Sequence, residues 1–133
     1  MALSAVNTVP CGQRLMHASL VVVWLGTALV SALEHKGLSA RLLADAGILD
    51  TRWQALLVWS GLLADLAMGL ALWLRPASSY LAALALMLAM TVTASVLQPA
   101  LWLHPLGPLL KNLPIAAMLL HLMSAHAKKK EFA

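Results

Sequence analysis

The chain has 133 residues, of which 62% are hydrophobic and only 11% are charged. Soluble domains carry about 25% charged residues, so this composition, with a mean hydropathy of +0.85, excludes an ordinary soluble protein. The net charge of +4 does not indicate nucleic-acid binding, because the basic residues lie singly beside apolar segments or in the terminal run Lys128, Lys129 and Lys130. The main partner predicted from composition is the lipid bilayer.

The first apolar run covers residues 15–33 and follows an N-terminal tail of residues 1–14. At about 1.5 Å per residue it is about 28 Å long, enough to cross a hydrocarbon core of about 30 Å. The alternative is a signal peptide, because Val30, Ser31 and Ala32 resemble a small-x-small cleavage site. Further apolar segments downstream favour a membrane span.

A polar stretch covers residues 34–54 and separates the first two apolar runs. Within it Leu38, Leu42 and Leu43 recur at helical spacing, which predicts a short amphipathic helix on the membrane surface. The second run, residues 55–74, has tryptophans at both ends, where an aromatic belt is expected. A short loop over residues 76–79 leads into a third run over residues 80–97 and predicts antiparallel neighbours.

The passage before the last helix is rich in proline, with Pro99, Pro105, Pro108 and Pro114. A proline inside a helix removes a backbone donor and clashes with the preceding turn, so this passage cannot be one regular helix. The fourth span, residues 107–126, begins either near residue 106 with a kink at Pro114 or near residue 113. A basic tail of residues 127–133 follows.

These runs predict an all-α fold: one domain over residues 15–126 that forms an antiparallel, up-down, four-helix transmembrane bundle. Four spans place both termini on one side of the membrane. Arg14, Arg75 and the tail lysines share that side, and the lysine cluster indicates that it is the cytoplasm.

Asp65 lies at the centre of the second run, where a carboxylate costs about 2.5–3.5 kcal/mol on insertion scales. Gly61 and Gly69 precede and follow it by four residues, so all three share one helix face. Small residues at this spacing let another helix approach closely, so the face is expected to point into the bundle. The carboxyl group then either fixes helix packing or belongs to a ligand or proton site.

Other polar residues converge on the same side of the predicted bundle. Glu34 and Lys36 end the first span, and Lys111 and Asn112 precede the fourth. With Asp65 they form the candidate ligand-binding or structural pocket. Four further polar residues are predicted to lie near this pocket: His104, Thr91, Thr93 and Ser95. We expect Asp65 to lie within one side-chain length of Lys36 or Lys111, because a buried carboxylate needs a partner. The alternative is that both lysines extend to the interface and Glu34 pairs with one of them.

Catalytic and metal-binding patterns are missing from the sequence. Cys11 is the single cysteine, which excludes thiol–disulfide chemistry within one chain. His17 and His121 have no carboxylate at ligand spacing, so they are expected to be hydrogen-bonded histidines rather than metal or haem ligands. No catalytic residue, no metal site and no cofactor held by the chain alone are predicted.

Residues 104–114 (HPLGPLLKNLP) resemble the PxGPxxKNLP approach to the last helix of DoxX-like membrane proteins. Trp24 followed by Lys36 fits the opening of that family, and residues 64–70 (ADLAMGL) resemble its second-helix acid followed by glycine. The acid here is Asp65, where glutamate is more usual, and its reach is shorter by one methylene. The resemblance covers roughly residues 15–125.

The resemblance implies a four-helix protein of the bacterial inner membrane. Similar proteins include the membrane subunit of a thiosulfate:quinone oxidoreductase and domains fused to a short-chain-dehydrogenase-like domain. The first hypothesis is therefore an accessory or anchor subunit of a membrane redox system without independent catalysis, with a quinone and a dehydrogenase-like protein as candidate partners. The alternative is a small transporter, or a proton or ion permeation module, that uses Asp65. Homo-oligomerisation is compatible with either hypothesis.

Overall fold

The computed structural model describes residues 10–34, 37–103 and 109–131. Over these residues the chain is helical, with connecting turns and no strand. The elements in chain order are α1 (Cys11–Leu33), α2 (Leu38–Asp45), α3 (Thr51–Leu74), α4 (Pro76–Leu97), a 3₁₀ helix (Pro99–Trp102) and α5 (Asn112–Glu131). The predicted all-α class is confirmed.

Three of these helices, α1, α3 and α4, are long and apolar enough to cross a membrane. Their outward faces carry large apolar side chains, such as Val22, Leu63 and Val92, that are more than half exposed. Water would penalise such a surface, whereas lipid does not. The fifth helix has 20 residues, but the three lysines near its end lower its hydropathy below that of the other three.

The prolines after α3 and α4 determine where these helices end. A residue before proline is excluded from the helical region by the proline ring, and Arg75 (φ −139°, ψ 65°) and Gln98 (φ −144°, ψ 79°) are accordingly extended. The predicted ends at residues 74 and 97 are correct. The predicted loop over residues 76–79 is wrong, because Pro76 occupies the first position of α4, where its fixed φ favours a helix.

The starts of α1 and α3 also differ from the prediction. The first helix begins at Cys11, inside the predicted tail, and α3 begins at Thr51 because the Asp50 side chain accepts a hydrogen bond of 2.8 Å from Arg52 N. The last helix begins at Asn112, as the second of the two predicted alternatives has it, and extends to Glu131, into the predicted basic tail. Pro114 therefore lies in the first turn of α5, where a proline is tolerated without a kink. Residues 104–108 lie outside the described residues.

The second helix is the short helix predicted in the polar stretch, and a glycine ends it. Gly47 has φ +88°, a left-handed conformation that glycine adopts without strain. Ile48 N donates to Leu43 O and Gly47 N donates to Ala44 O, both at 2.9 Å, which is the Schellman pattern. Gln98 Nε2, just after α4, donates to Leu42 O at 3.2 Å and ties α2 to the end of α4.

A close helix contact joins α1 to α3 at Gly69. A Cβ at this position would lie 2.6 Å from Leu25 Cδ2 and 3.2 Å from Leu25 N, so the two backbones approach closely. The main core packs Leu20, Leu72 and Leu119, all fully buried, around Tyr80. This closed half of the molecule, defined by these four residues, contains the start of α4 and the later part of α5.

Candidate functional site

A cavity of about 480 Å³ lies between α1, α3, α4 and α5, beside α2. Its wall is mostly apolar, and residues from these elements converge on it. Asp65 in α3 is half-buried and borders this space. An ionisable side chain in the middle of a long apolar helix is tolerated when it faces protein or an aqueous cavity rather than lipid. The direction predicted for Asp65, into the protein, is the one observed.

Lys111 borders the same cavity from the turn before α5. Its side chain is exposed, and its positive charge is close enough to act on the Asp65 carboxyl group. Among the residues that the structure describes, the two groups form no direct ion pair. The long apolar stem of a lysine can extend along the protein while the ammonium group stays near the interface. Lys111 and Asp65 therefore lie on the border of the same cavity as opposite charges, with space between them.

Asn112 is the third predicted site residue on this cavity. Its Nδ2 donates to Thr91 Oγ1 at 2.8 Å, and Thr91 Oγ1 donates to Met87 O at 2.7 Å. This chain of hydrogen bonds fixes the amide on the first residue of α5 against α4. The amide oxygen accepts no hydrogen bond in the described part of the chain, so it is available to a ligand donor.

Polar residues of α1 also face the cavity, and the sequence analysis did not single them out. Thr27 and Ser31 lie one helical turn apart and both border it, as does Trp24. Trp24 is 7% exposed, and its indole Nε1 has no hydrogen-bond partner within the described residues. The detectable signal was the spacing of four residues between Thr27 and Ser31, which places two hydroxyl groups on one face of an apolar helix.

Two glycines flank Asp65 at equal spacing but have different environments. Gly69 is packed against Leu25, as expected for a close helix contact. Gly61 also borders the cavity, and a Cβ added there would meet nothing within 4 Å. The prediction that both glycines admit a neighbouring helix is therefore correct for Gly69 and wrong for Gly61, whose missing side chain leaves part of the cavity open.

The remaining predicted site residues are not placed on the cavity. Glu34 is exposed just after α1, with a carboxylate oxygen beside Gly37, and it does not border the cavity. Lys36 and His104 lie outside the described residues. Of the other two hydroxyl residues predicted nearby on α4, Ser95 accepts a hydrogen bond of 2.9 Å from Trp102 Nε1, and Thr93 is exposed and bonds its own helix.

A separate polar cluster joins three helices within the closed half. The Tyr80 hydroxyl and His17 Nδ1 lie 3.0 Å apart in a hydrogen bond, and the ring of His126 meets the Tyr80 ring edge-on at 5.8 Å. His17 is thus a hydrogen-bonded histidine, as predicted. Tyr80 and His126 were not predicted to contact it. Within the described ranges there is no group of three metal-ligating side chains.

The cavity combines an apolar interior with one acid, one base, an amide and three hydroxyl groups, those of Thr27, Ser31 and Ser39. Such a site orients a small amphipathic molecule: Lys111 donates hydrogen bonds, Asp65 accepts them, and Asn112 Oδ1 accepts them. Among the residues on this cavity that the structure describes, no nucleophile is paired with a base.

Comparison with known proteins gives one match. The model of the DoxX-like family matches residues 21–120, which include Asp65, Lys111 and Asn112. No curated protein and no solved structure matches the chain. The family match covers most of the chain, and together with the three long apolar helices it identifies a membrane protein. The chain therefore belongs to the DoxX-like family.

Proposed function

We propose that this protein is an accessory subunit of a membrane redox system and that it binds the ring of a quinone in the cavity at Asp65. The observation that carries the proposal is the cavity itself. Its volume of about 480 Å³ lies in the range of about 300–1,000 Å³ that is usual for small-molecule sites. Its apolar wall with a few convergent polar groups is also typical of such sites.

The charges around the cavity favour a neutral ligand. Asp65 and Lys111 have opposite charges and face the same space, so the site carries no net charge when both are ionised. A quinone ring is neutral and apolar, with two carbonyl oxygens that accept hydrogen bonds. Lys111 is placed to donate to one of these oxygens, and Asp65 and Asn112 are placed to accept from the hydroxyl groups of the reduced form.

Permeation of ions or protons is the alternative, and the packing does not favour it. All residues that border the cavity belong to the half of the molecule that contains the end of α1 and the start of α5. The closed half contains three fully buried leucines, Leu20, Leu72 and Leu119. A continuous polar path from Asp65 would have to pass these side chains, so we favour a binding site over a pore.

The proposal includes a topology with four antiparallel spans. Early in α4, Tyr80 contacts His126 near the end of α5, whereas Thr91 later in α4 contacts Asn112 at the start of α5. This order supports opposite directions for the two helices. With 20 residues, α5 is about 30 Å long, which matches the hydrocarbon core. We infer an inner-membrane location in bacteria with both termini in the cytoplasm.

Reporter fusions test this topology. A fusion after Phe132 should report the cytoplasm, and a fusion between Arg41 and Asp50 should report the opposite side. The same side for both fusions would contradict four spans.

Equilibrium binding tests the function. Purified protein in detergent micelles is titrated with a quinone that lacks an isoprenoid tail. A Gly61→Leu variant fills the cavity without meeting a neighbour at Cβ, so it should fold and lose binding. Gly12→Leu is the matched control, because a Cβ there also meets nothing within 4 Å and Gly12 does not border the cavity. Equal quinone affinity in the wild type, Gly61→Leu and Gly12→Leu would overturn the proposal.

The partner is tested in native membranes. Affinity purification in mild detergent should recover a dehydrogenase-like or other redox protein, and the complex should reduce added quinone when it receives the partner's electron donor. Flux of protons or cations into liposomes that contain the purified chain alone would instead support permeation.

A further inference from the structure

A second open space adjoins the cavity on the outer surface between α1 and α5. This cleft has a volume of about 550 Å³ and is more open than the cavity. Val22 and Val30 on its rim are 69% and 58% exposed, so it faces the surroundings of the helices rather than the protein interior. Gly26 lies in the cleft, and a Cβ there would meet nothing within 4 Å.

The cleft and the cavity share a common wall. Five residues border both spaces: Val23, Thr27, Ser31, Lys111 and Ile115. Thr27 and Ser31 have short side chains, and Lys111 is long, flexible and exposed. The partition between the two spaces therefore consists mainly of small side chains and one side chain that can move at little cost.

The start of α5 determines which chemistry the cleft accepts. A helix N-terminus often binds anions through free backbone N–H groups. Here Asn112 N donates to Leu109 O, Leu113 N donates to Leu110 O, and Pro114 has no N–H. The first turn therefore offers no free backbone donor to a phosphate or carboxylate. Apart from Lys111 and two hydroxyl groups the cleft is apolar, which suits a hydrocarbon chain.

We propose that the cleft between α1 and α5 is a lateral portal to the cavity and holds the hydrocarbon tail of the bound ligand. The inference rests on the proposed function, since the tail belongs to the quinone whose ring occupies the cavity. It assigns the ligand to the lipid-soluble quinones, which reach the site from the bilayer. Lys111 then lies at the junction of ring and tail, and Gly26 leaves room for the tail along α1.

The test compares two quinones that share one ring, one without a tail and one with an isoprenoid tail. Both are titrated into the wild type and into Gly26→Leu, Gly61→Leu and Gly12→Leu in the same detergent. Gly26→Leu should fill the cleft and keep the affinity for the tailless quinone. It should weaken binding of the tailed quinone about tenfold, because the added side chain occupies the space of the tail and overpacking of this kind costs about 1.4 kcal/mol. Gly12→Leu should leave both affinities unchanged.

The outcomes separate this inference from the proposed function. If Gly26→Leu binds the tailed quinone as well as the wild type does, while Gly61→Leu loses both ligands, the portal is wrong and the cavity assignment stands. If the wild type binds neither quinone, the proposed function fails and the portal fails with it. A fluorescence or circular-dichroism melting curve like that of the wild type shows that each variant is folded.

Discussion

The two halves of the molecule use the same helices in opposite ways. In the closed half, Leu20, Leu72 and Leu119 leave no exposed surface and pack around Tyr80. In the half with the cavity, α1 contributes Thr27 and Ser31, and α3 contributes Gly61 and Asp65. Large apolar side chains thus fill one half, and small or polar side chains leave space in the other.

This difference indicates that one part of each helix holds the fold together and the other part forms the cavity. Helix association within a membrane depends on packing and interhelical hydrogen bonds, because lipid is as apolar as the core itself. The closed half supplies the packing that holds the helices together. The half with the cavity gives up packing and keeps an acid in the middle of an apolar helix, where a carboxylate is costly. Substitutions in the closed half should therefore affect mainly stability, and substitutions at the cavity should affect mainly ligand binding.

The largest loss of stability is expected from Leu119→Ala. Truncating a fully buried leucine removes contacts and leaves a void, which costs about 2–5 kcal/mol in soluble proteins. Leu120→Ala is the matched control on the same helix, because Leu120 is 51% exposed. Unfolding by denaturing detergent should separate the two variants by at least about 2 kcal/mol. Equal stabilities would mean that the closed half does not hold the fold together.

A slightly smaller loss is expected from Gly69→Leu compared with Gly61→Leu. A side chain at Gly69 collides with the Leu25 side chain and lies tightly against the Leu25 backbone N, so it must push α1 from α3, which costs about 1–3 kcal/mol. The same change at Gly61 enters open space. Of these two variants, only Gly69→Leu should have a lower melting temperature than the wild type. A fall of the same size for Gly61→Leu would show that the cavity collapses around any added side chain.

A modest effect is expected from Thr91→Val, which removes the acceptor of the Asn112 side chain. Hydrogen bonds between membrane helices contribute about 0.6 kcal/mol on average, so the variant should lose about that much stability. Thr93→Val is the control, since Thr93 bonds only its own helix at Ala89 O in the described structure. We also expect weaker binding of the reduced quinone for Thr91→Val, because the Asn112 amide oxygen loses its orientation.

The smallest change in stability is expected from Asp65→Asn. The amide keeps the shape of the carboxyl group, and Asp65 has no direct ion pair among the described residues that this change would break. Thermal stability should change by no more than about 0.5 kcal/mol, as for substitutions outside packed contacts. Affinity for the reduced quinone should nevertheless fall, since the amide is a weaker acceptor than the carboxylate for its hydroxyl groups. Unchanged affinity would make Asp65 a packing residue only.

The sequence predicted helix ends better than helix starts, for a physical reason. Arg75 and Gln98 precede prolines, and this local rule ends α3 and α4 at the expected residues. Hydropathy alone placed the starts of α1, α3 and α4 too late. The first turns carry polar residues such as Arg14 and Arg52, which lower hydropathy but are tolerated at a helix N-terminus.

The cavity was only partly predictable. Asp65, Lys111 and Asn112 were grouped because topology brings them to one side, and they do border one space. The different environments of Gly61 and Gly69 were not predictable from their equal spacing, because helix crossing decides which glycine is covered. The shape of the cavity likewise depends on which side chains of four helices meet, and this is a property of packing rather than of any single segment.

The most direct test of the central claim is to map where a quinone binds. Purified protein is labelled with an azido-quinone, and the modified peptides are identified by mass spectrometry. Labels should fall on the cavity residues of α1 and α3, between residues 23 and 31 and between residues 57 and 65, and should disappear in Gly61→Leu. Labels spread over the exposed faces of the helices, at equal yield in Gly61→Leu, would contradict a quinone site at Asp65.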